Sequence, residues 1–470
     1  MPPLPDSFIW GASTSSHQIE GAVAEDGKGR SIWDTFTARP GAVREGHTGA
    51  VACDHYHRHA EDVALMRELG LDAYRFSLSW PRIVPEGRGR IEPRGLAFYD
   101  RLVDELLAAG ITPVPTLYHW DLPQSLEDEG GWLNRDTARH FGDYAAAVAE
   151  RLGDRVTRWI TLNEPFIQLA FGYALGTHAP GRTLMLEALP VAHHQLLGHG
   201  LATAALRAQA AGPIEVLIAN NCTPVRLGVD ATEADRAAAD AYDTLHNRLF
   251  NDPLLLGRYP DLSALGMADP TWNGVVHDDD LGVIGGTLDG LGVNYYNPTW
   301  IAAPAPDAGL PFDILDPADA EPGREYPRTA FEWPVVPEGL TELLLELREY
   351  YGDALPPVWI TENGCSQPDL LTDGGVQDDA RIDFLRSHID AVAAACEGGV
   401  DVRGYLTWSL LDNFEWAEGY HQRFGLVHVD FATQRRTPKA SFGWYREYIA
   451  AQRAQRGQFR AVNPLGVGRA

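Results

Sequence analysis

Lysine is nearly missing from this chain: it occurs only as Lys28 and Lys439, so arginine supplies almost all of the 38 basic residues, and these face 65 acidic ones for a net charge of -27. So negative a protein repels phosphate backbones and anionic membrane surfaces, which argues against nucleic-acid and membrane partners and suits a neutral small substrate. Cysteine is scarce as well. Cys53, Cys222, Cys365 and Cys396 lie far apart, which excludes a disulfide scaffold and the C-x-x-C of a metal or redox site, and reduced thiols are expected. No run approaches the roughly 18 apolar residues of a membrane span. The start, Met1-Pro-Pro-Leu-Pro-Asp6, lacks a basic region followed by an apolar stretch, so the expected location is the cytoplasm. No glycine-rich dinucleotide fingerprint follows the first strand-like run. The glycines from Gly21 to Gly29 are too widely spaced for a phosphate loop, and Gly29 stands where Ser or Thr should hold magnesium.

Material for a large core is plentiful: 45% of residues are hydrophobic, with 13 Trp, 17 Tyr and 16 Phe. Apolar or β-branched runs recur at 8–14, 73–80, 112–120, 158–164, 215–222, 288–296, 358–362 and 404–410. Amphipathic helical patterns lie between many of them, such as 59–69 closed by Gly70 and 98–109 closed by Gly110. Alternating strands and helices predict a parallel sheet, and eight such units predict an α/β fold, a single (β/α)8 TIM barrel with long βα loops forming the active-site pocket. The barrel is expected over 1–450, with 451–470 as a loosely held C-terminal tail. The aperiodic, Pro- and Asp-rich stretch 302–327 reads as a lid or binding loop at the barrel mouth.

Two of the runs end alike. Trp159-Ile-Thr-Leu-Asn-Glu164-Pro165 and Val358-Trp-Ile-Thr-Glu362-Asn-Gly364 each deliver a glutamate where the strand stops. Pro165 is expected to hold Glu164 extended, and Gly364 to permit a sharp turn after Glu362. On one parallel barrel both carboxylates would open onto the same carboxyl-end face, the face that carries chemistry. Either glutamate alone would read equally well as a structural ion pair; the repeat, with an asparagine beside each, favours an acid/base pair. Other motifs carry less. The run Asp54-His55-Tyr56-His57-Arg58-His59 suggests the histidines of a metal-dependent hydrolase, but it leads into a helix, where residues two apart diverge. His193 and His194 are adjacent in a helical pattern, and a structural role suits them. Trp408 and Trp416 at strand ends could serve a non-catalytic sugar-binding protein, a reading that leaves the paired glutamates idle.

Six blocks in fixed order tie these features together: Phe8-Ile-Trp-Gly-Ala-Ser-Thr-Ser-Ser-His-Gln18-Ile-Glu-Gly21, Arg75-Phe-Ser-Leu-Ser-Trp-Pro-Arg-Ile83, Thr116-Leu-Tyr-His119-Trp-Asp-Leu-Pro123, Thr161-Leu-Asn-Glu-Pro165, Ile360-Thr-Glu-Asn-Gly364 and Thr407-Trp-Ser-Leu-Leu-Asp-Asn-Phe-Glu415-Trp416. In these blocks the chain resembles the family 1 glycoside hydrolases, the β-glucosidase family, from about Phe8 to Tyr448. The resemblance implies retaining hydrolysis of β-glucosides and short cello-oligosaccharides, with β-galactosidase, β-fucosidase and 6-phospho-β-glucosidase activity as alternatives, and no cofactor or metal. It also implies Glu164 as general acid/base and Glu362 as nucleophile. Gln18, His119, Asn163, Tyr296, Trp408, Glu415 and Trp416 match sugar-contacting residues, and Arg75, Asn294, Trp333 and Phe424 match supporting ones. Three positions depart from the family pattern: Pro334 after Trp333, which touches leaving-group specificity, and His17 and Cys365, which read as packing changes. The 6-phosphoglycoside branch needs Ser, Lys and Tyr around the phosphate; here Glu415 presents an expected carboxylate anion and no lysine lies in that segment. Relatives that cleave thioglucosides lack the acid/base glutamate, which Glu164 supplies. Oligomeric state and the preferred glycone are not legible.

Overall fold

β-Branched and aromatic residues form eight parallel strands: β1 (Ile9–Ser13), β2 (Ala73–Ser77), β3 (Thr112–Tyr118), β4 (Arg158–Asn163), β5 (Glu215–Asn221), β6 (Gly290–Asn294), β7 (Val358–Asn363) and β8 (Val402–Trp408). In the computed structural model, which describes residues 4–462 apart from Ala268, Pro270, Thr287, Asp307, Ala308 and Asp373 and apart from the side chains of 456–462, they close into one barrel in chain order. β8 returns to β1 with Gly404 opposite Ile9. The principal helices around it are α1 (His55–Leu69), α2 (Pro93–Ala108), α3 (Asp136–Leu152), α4 (Pro190–Gln209), α5 (Glu233–Asp243), α6 (Leu249–Leu255), α7 (Pro337–Tyr351), α8 (Asp379–Glu397) and α9 (Ala440–Val462). Gly70 caps α1 in the left-handed conformation that glycine adopts without strain. Both helices named from the sequence begin earlier than their apolar pattern, at His55 and at Pro93.

Inside the barrel, Ile9, Ala73, Val114, Ile160, Leu217, Trp359 and Leu406 pack into an apolar layer. The Trp359 indole fits only because β8 carries Gly404: a Cβ there would lie 2.5 Å from the ring. This layer floors the barrel, and the carboxyl ends of the strands above it hold buried polar groups, among them Arg75, Asn163, Asn294 and Glu362. The pairing register slips between Ile160 and Asn163 on β4, and between Ile360 and Glu362 on β7. Leu162 thereby packs in the main core while Ile160 belongs to the interior layer. Such irregularities re-aim side chains, and here each immediately precedes a strand-end glutamate.

The stretch 302–327 has more structure than expected. Asp313–Leu315 pairs with Thr299–Ala302, which pairs with Val225–Leu227, and the Asp316 carboxylate caps a short helix, Pro317–Ala320; Asp307 and Ala308 within this stretch lie outside the described residues. α9 passes unbroken through the expected boundary at 450, and the rest of the tail, 463–470, lies outside the described residues. Among the described residues, no helix is long and apolar enough to cross a membrane.

Candidate active site

Above the apolar floor opens a cavity of about 430 Å³ lined by both strand-end glutamates, His119, Tyr296, Glu415 and a wall of aromatic rings. Glu164 enters it by an unexpected backbone route. Instead of being extended, it has φ 45° and ψ 62°. Pro165 bars the right-handed helical region to its predecessor, and Pro165 begins a helix at once, so the chain makes its corner through the left-handed region. The Glu164 amide still donates to Ala219 O at 2.7 Å, holding the corner against β5. A buried non-glycine residue in this region carries backbone strain, which persists where the surroundings over-determine it and which clusters at functional sites. Gly364 also differs from expectation. It needs no special φ; a Cβ would meet the Trp408 carbonyl oxygen at 1.7 Å, so the requirement is close approach of β7 and β8.

One hydrogen-bond chain joins the two carboxylates. Asn294 Nδ2 donates to Glu164 Oε1 at 2.8 Å and to Asn163 Oδ1 at 3.0 Å. Asn163 Oδ1 also accepts from Arg75 Nη2 at 2.5 Å, and Arg75 Nη1 donates to Glu362 Oε1 at 2.7 Å. Tyr296 OH donates to the other oxygen of Glu362 at 2.8 Å. The two glutamates are therefore unlike. Glu164, buried beside the negative charge of Glu362 and receiving one neutral donor, has its pKa pushed well up. Burial raises Glu362 too, but Arg75 and Tyr296 stabilise its charged form, so of the pair Glu164 keeps the proton.

The remaining predicted residues converge here. Asn163 Nδ2 meets His119 Nε2 at 3.0 Å, which sets the His119 tautomer and leaves its buried Nδ1 without a protein partner. Gln18 donates to Asn413 Oδ1 at 3.1 Å and to Glu415 Oε2 at 3.3 Å. The imidazole of His119 stacks at 20° on both Trp408 and Trp416, with centroids 5.8 and 5.9 Å away. Trp333 packs on Phe331 at 4.4 Å and on Tyr296 at 5.3 Å, with Phe424 behind. His17 lies parallel to Trp416 at 6.0 Å, and Cys365 is buried; both are packing residues.

Glu415 is corrected on one point. Burial and the charges of Glu362 and Glu418 push its carboxyl from an ordinary 4.5 up to about 8, so at neutral pH it is mostly protonated rather than the expected anion. The histidines weighed as metal ligands are dispersed. His55 pairs with Asp62 at 2.7 Å, His57 with Asp54 at 2.6 Å and His59 with Glu105 at 2.8 Å. His193 bonds Tyr259 and Asp280, and His194 bonds Trp132 O.

Several lining residues escaped the sequence reading: Trp120, Phe171, His178 and His246. Trp120 stood inside a quoted block, next to His119, and its indole donates to Asn163 O at 2.8 Å. Phe171 and His246 sit in π-helical segments, Gln168–Ala174 and Thr244–Arg248, which no local pattern announces.

A parallel barrel whose carboxyl-end cavity holds two buried glutamates of unequal acidity under an aromatic wall defines a glycosidase of the (β/α)8 class. The sequence profile of Glycosyl hydrolase family 1 matches residues 2–454, and the chain belongs to that family. It is 48% identical over 465 residues to "Thermostable beta-glucosidase B" of Thermobispora bispora, covering 97% of this chain and 92% of the relative. Among solved structures it is similar to the psychrophilic beta-glucosidase BglU from Micrococcus antarcticus, with TM-score 0.89, 47% identity and 96% and 98% of the two chains covered. The beta-glucosidase from Thermotoga maritima in complex with glucoimidazole also superposes with TM-score 0.89, at 41% identity over 96% of this chain and 99% of that one.

Proposed function

We propose that the protein is a retaining β-glucosidase that removes terminal glucosyl residues from β-glucosides and short cello-oligosaccharides by double displacement. The observation that carries this reading is the asymmetry of the glutamate pair: one carboxylate is held by Arg75 and Tyr296, and the other keeps its proton. In the first displacement Glu362 attacks the anomeric carbon while Glu164 gives its proton to the glycosidic oxygen; the C–O bond breaks and the aglycone leaves as an alcohol. In the second, Glu164 takes a proton from water, the oxygen attacks the same carbon, and Glu362 is released as a carboxylate. Arg75 serves both halves, since it holds Glu362 and, through Asn163, the asparagine that bonds Glu164.

Gln18, His119, Asn163, Glu415 and Trp416 are assigned to the hydroxyls of the sugar, with Trp408 as the floor of its pocket. Asn163 is oriented by Arg75 and Asn294, so its amide is preorganised for the 2-hydroxyl contact that tightens in the transition state. Trp333 is assigned to the leaving-group side and Phe424 to the aromatic wall of the sugar pocket. A 6-phosphorylated sugar is disfavoured: the burial that keeps Glu415 protonated, together with the charges of Glu362 and Glu418, opposes a phosphate dianion in the same place. Residues 1–450 are assigned to one barrel unit, and a cytoplasmic location is supported by four free cysteines, three of them buried.

The test is the anomer first released from an aryl β-glucoside, followed by NMR, with mass spectrometry of the enzyme after reaction with a 2-deoxy-2-fluoroglucoside. β-Glucose and a glycosyl adduct on Glu362 are expected. α-Glucose as first product would refute Glu362 as the nucleophile.

A further inference from the structure

Glu45, His47 and His421 take no part in the reaction above. Among the described residues they are the group in which three metal-ligating side chains converge, with their ligand atoms all within 4.8 Å of one another. His421 Nε2 lies 3.4 Å from one oxygen of Glu45, and His47 Nε2 lies 3.8 Å from the other. The two imidazoles face each other with centroids 5.4 Å apart. Glu45 stands at φ 54° in the turn Arg44–Gly46, a left-handed corner that lets residues two apart in sequence converge on His421. His421 Nε2 is shielded from solvent and, despite the nearby carboxylate, makes no hydrogen bond. An ordinary surface ion pair accounts for one imidazole beside a carboxylate; here a second imidazole, face to face with the first, lies beside the other oxygen of the same carboxylate.

We propose that Glu45, His47 and His421 bind one divalent cation of the zinc, nickel or copper kind, at a site separate from the reacting glutamates. Two imidazole nitrogens and one carboxylate oxygen suit these borderline ions, whereas calcium and magnesium demand shells of oxygen. With metal–ligand bonds of about 2.0–2.2 Å, a tetrahedral site has ligand separations of about 3.3 Å, so the two histidine–carboxylate spacings need contract by about half an ångström or less and the widest spacing, at most 4.8 Å, by up to about 1.5 Å. One existing bond opposes ligation: Tyr420 N–H donates to His47 Nδ1 at 3.3 Å. Binding through Nε2 moves the His47 proton to Nδ1 and gives up that long bond, which makes this a modest site rather than one on which folding depends. The cation would tie two surface segments already in contact, since Arg44 pairs with Glu418 at 3.2 Å and Tyr420 OH donates to Thr48 O at 2.7 Å. The second of these segments starts at Glu415 and Trp416, so the clamp would brace the sugar pocket from outside.

The experiment is calorimetric titration of chelator-treated full-length protein with Zn²⁺, and separately with Mg²⁺, for wild type, His421→Ala and Glu45→Gln, together with melting curves in each ion. Wild type is expected to bind one Zn²⁺ about tenfold or more tightly than either variant, to melt higher with zinc, and to ignore magnesium. The variants should retain aryl-glucosidase activity, which shows that they are folded. Equal zinc affinity in wild type and His421→Ala, or an equal response to magnesium, would overturn the proposal.

Discussion

Glu415→Gln exchanges a carboxyl for an amide of the same shape, and it isolates the cost of burying that carboxyl. In the folded protein its pKa is about 8, against an ordinary 4.5. The sign follows from proton counts. Above pH 4.5 the unfolded chain releases this proton while the folded chain keeps it, so folding stability falls as pH rises, until the folded group itself ionises near 8. Across the 2.5 pH units from 4.5 to 7, at about 1.36 kcal/mol each, the native carboxyl costs roughly 3 kcal/mol of stability. An unfolding entropy of about 2.1 cal/mol/K per residue gives roughly 1 kcal/mol/K for a chain of 470 residues, which makes this cost roughly 3 °C in Tm. Glu415→Gln should therefore match wild type near pH 4.5, gain about 3 °C by pH 7, and show a flatter Tm against pH, while losing catalytic efficiency on aryl β-glucosides. Differential scanning fluorimetry from pH 4.5 to 8.5 reads the first effect and initial rates the second. Parallel Tm curves for the two proteins would refute a neutral, half-buried Glu415.

Glu164→Ala should slow substrates with poor leaving groups far more than activated aryl glucosides, and azide should restore turnover of the latter; equal losses without rescue would contradict the acid/base role. In wild type, kcat/KM should trace a bell, falling at low pH as Glu362 takes up a proton and at high pH as Glu164 loses its own, and Glu164→Gln should erase the basic limb on an activated substrate. Gly364→Ala places a methyl 1.7 Å from a backbone carbonyl that cannot yield alone, so a loss of at least about 3 kcal/mol is expected in denaturant melts; an unchanged midpoint would refute the close-approach account. Wild type should prefer aryl β-glucoside to its 6-phosphate, and the ratio of the two efficiencies, compared with Glu415→Ser, tests the electrostatics of that corner.

The strands were legible because each is a short, nearly continuous apolar run. Their ends were less so: the run at 288–296 yields a strand only over Gly290–Asn294, and β8 begins at Val402, two residues before the run that announced it. The glutamate pair was legible because strand-end position survives in linear order. The route of the backbone through Glu164 was not, since a following proline excludes the right-handed region but leaves both the extended and the left-handed ones open. Nor was the protonation of Glu415, which depends on burial and on Glu362, 53 positions away in sequence. His178 and His246 join the cavity through folding alone, with no motif around them to carry the signal.

The apolar layer from Ile9 to Leu406 has a kinetic consequence. It turns the barrel into a blind alley, so on the proposed reading a glucan enters tip first and cannot thread through. Each cut strands one glucose at the closed end, behind the shortened chain, and that chain must back out before the sugar can follow. On that reading turnover is expected to be distributive, one encounter per bond, with free glucose competing with substrate at the cavity mouth, which initial rates at rising glucose would check.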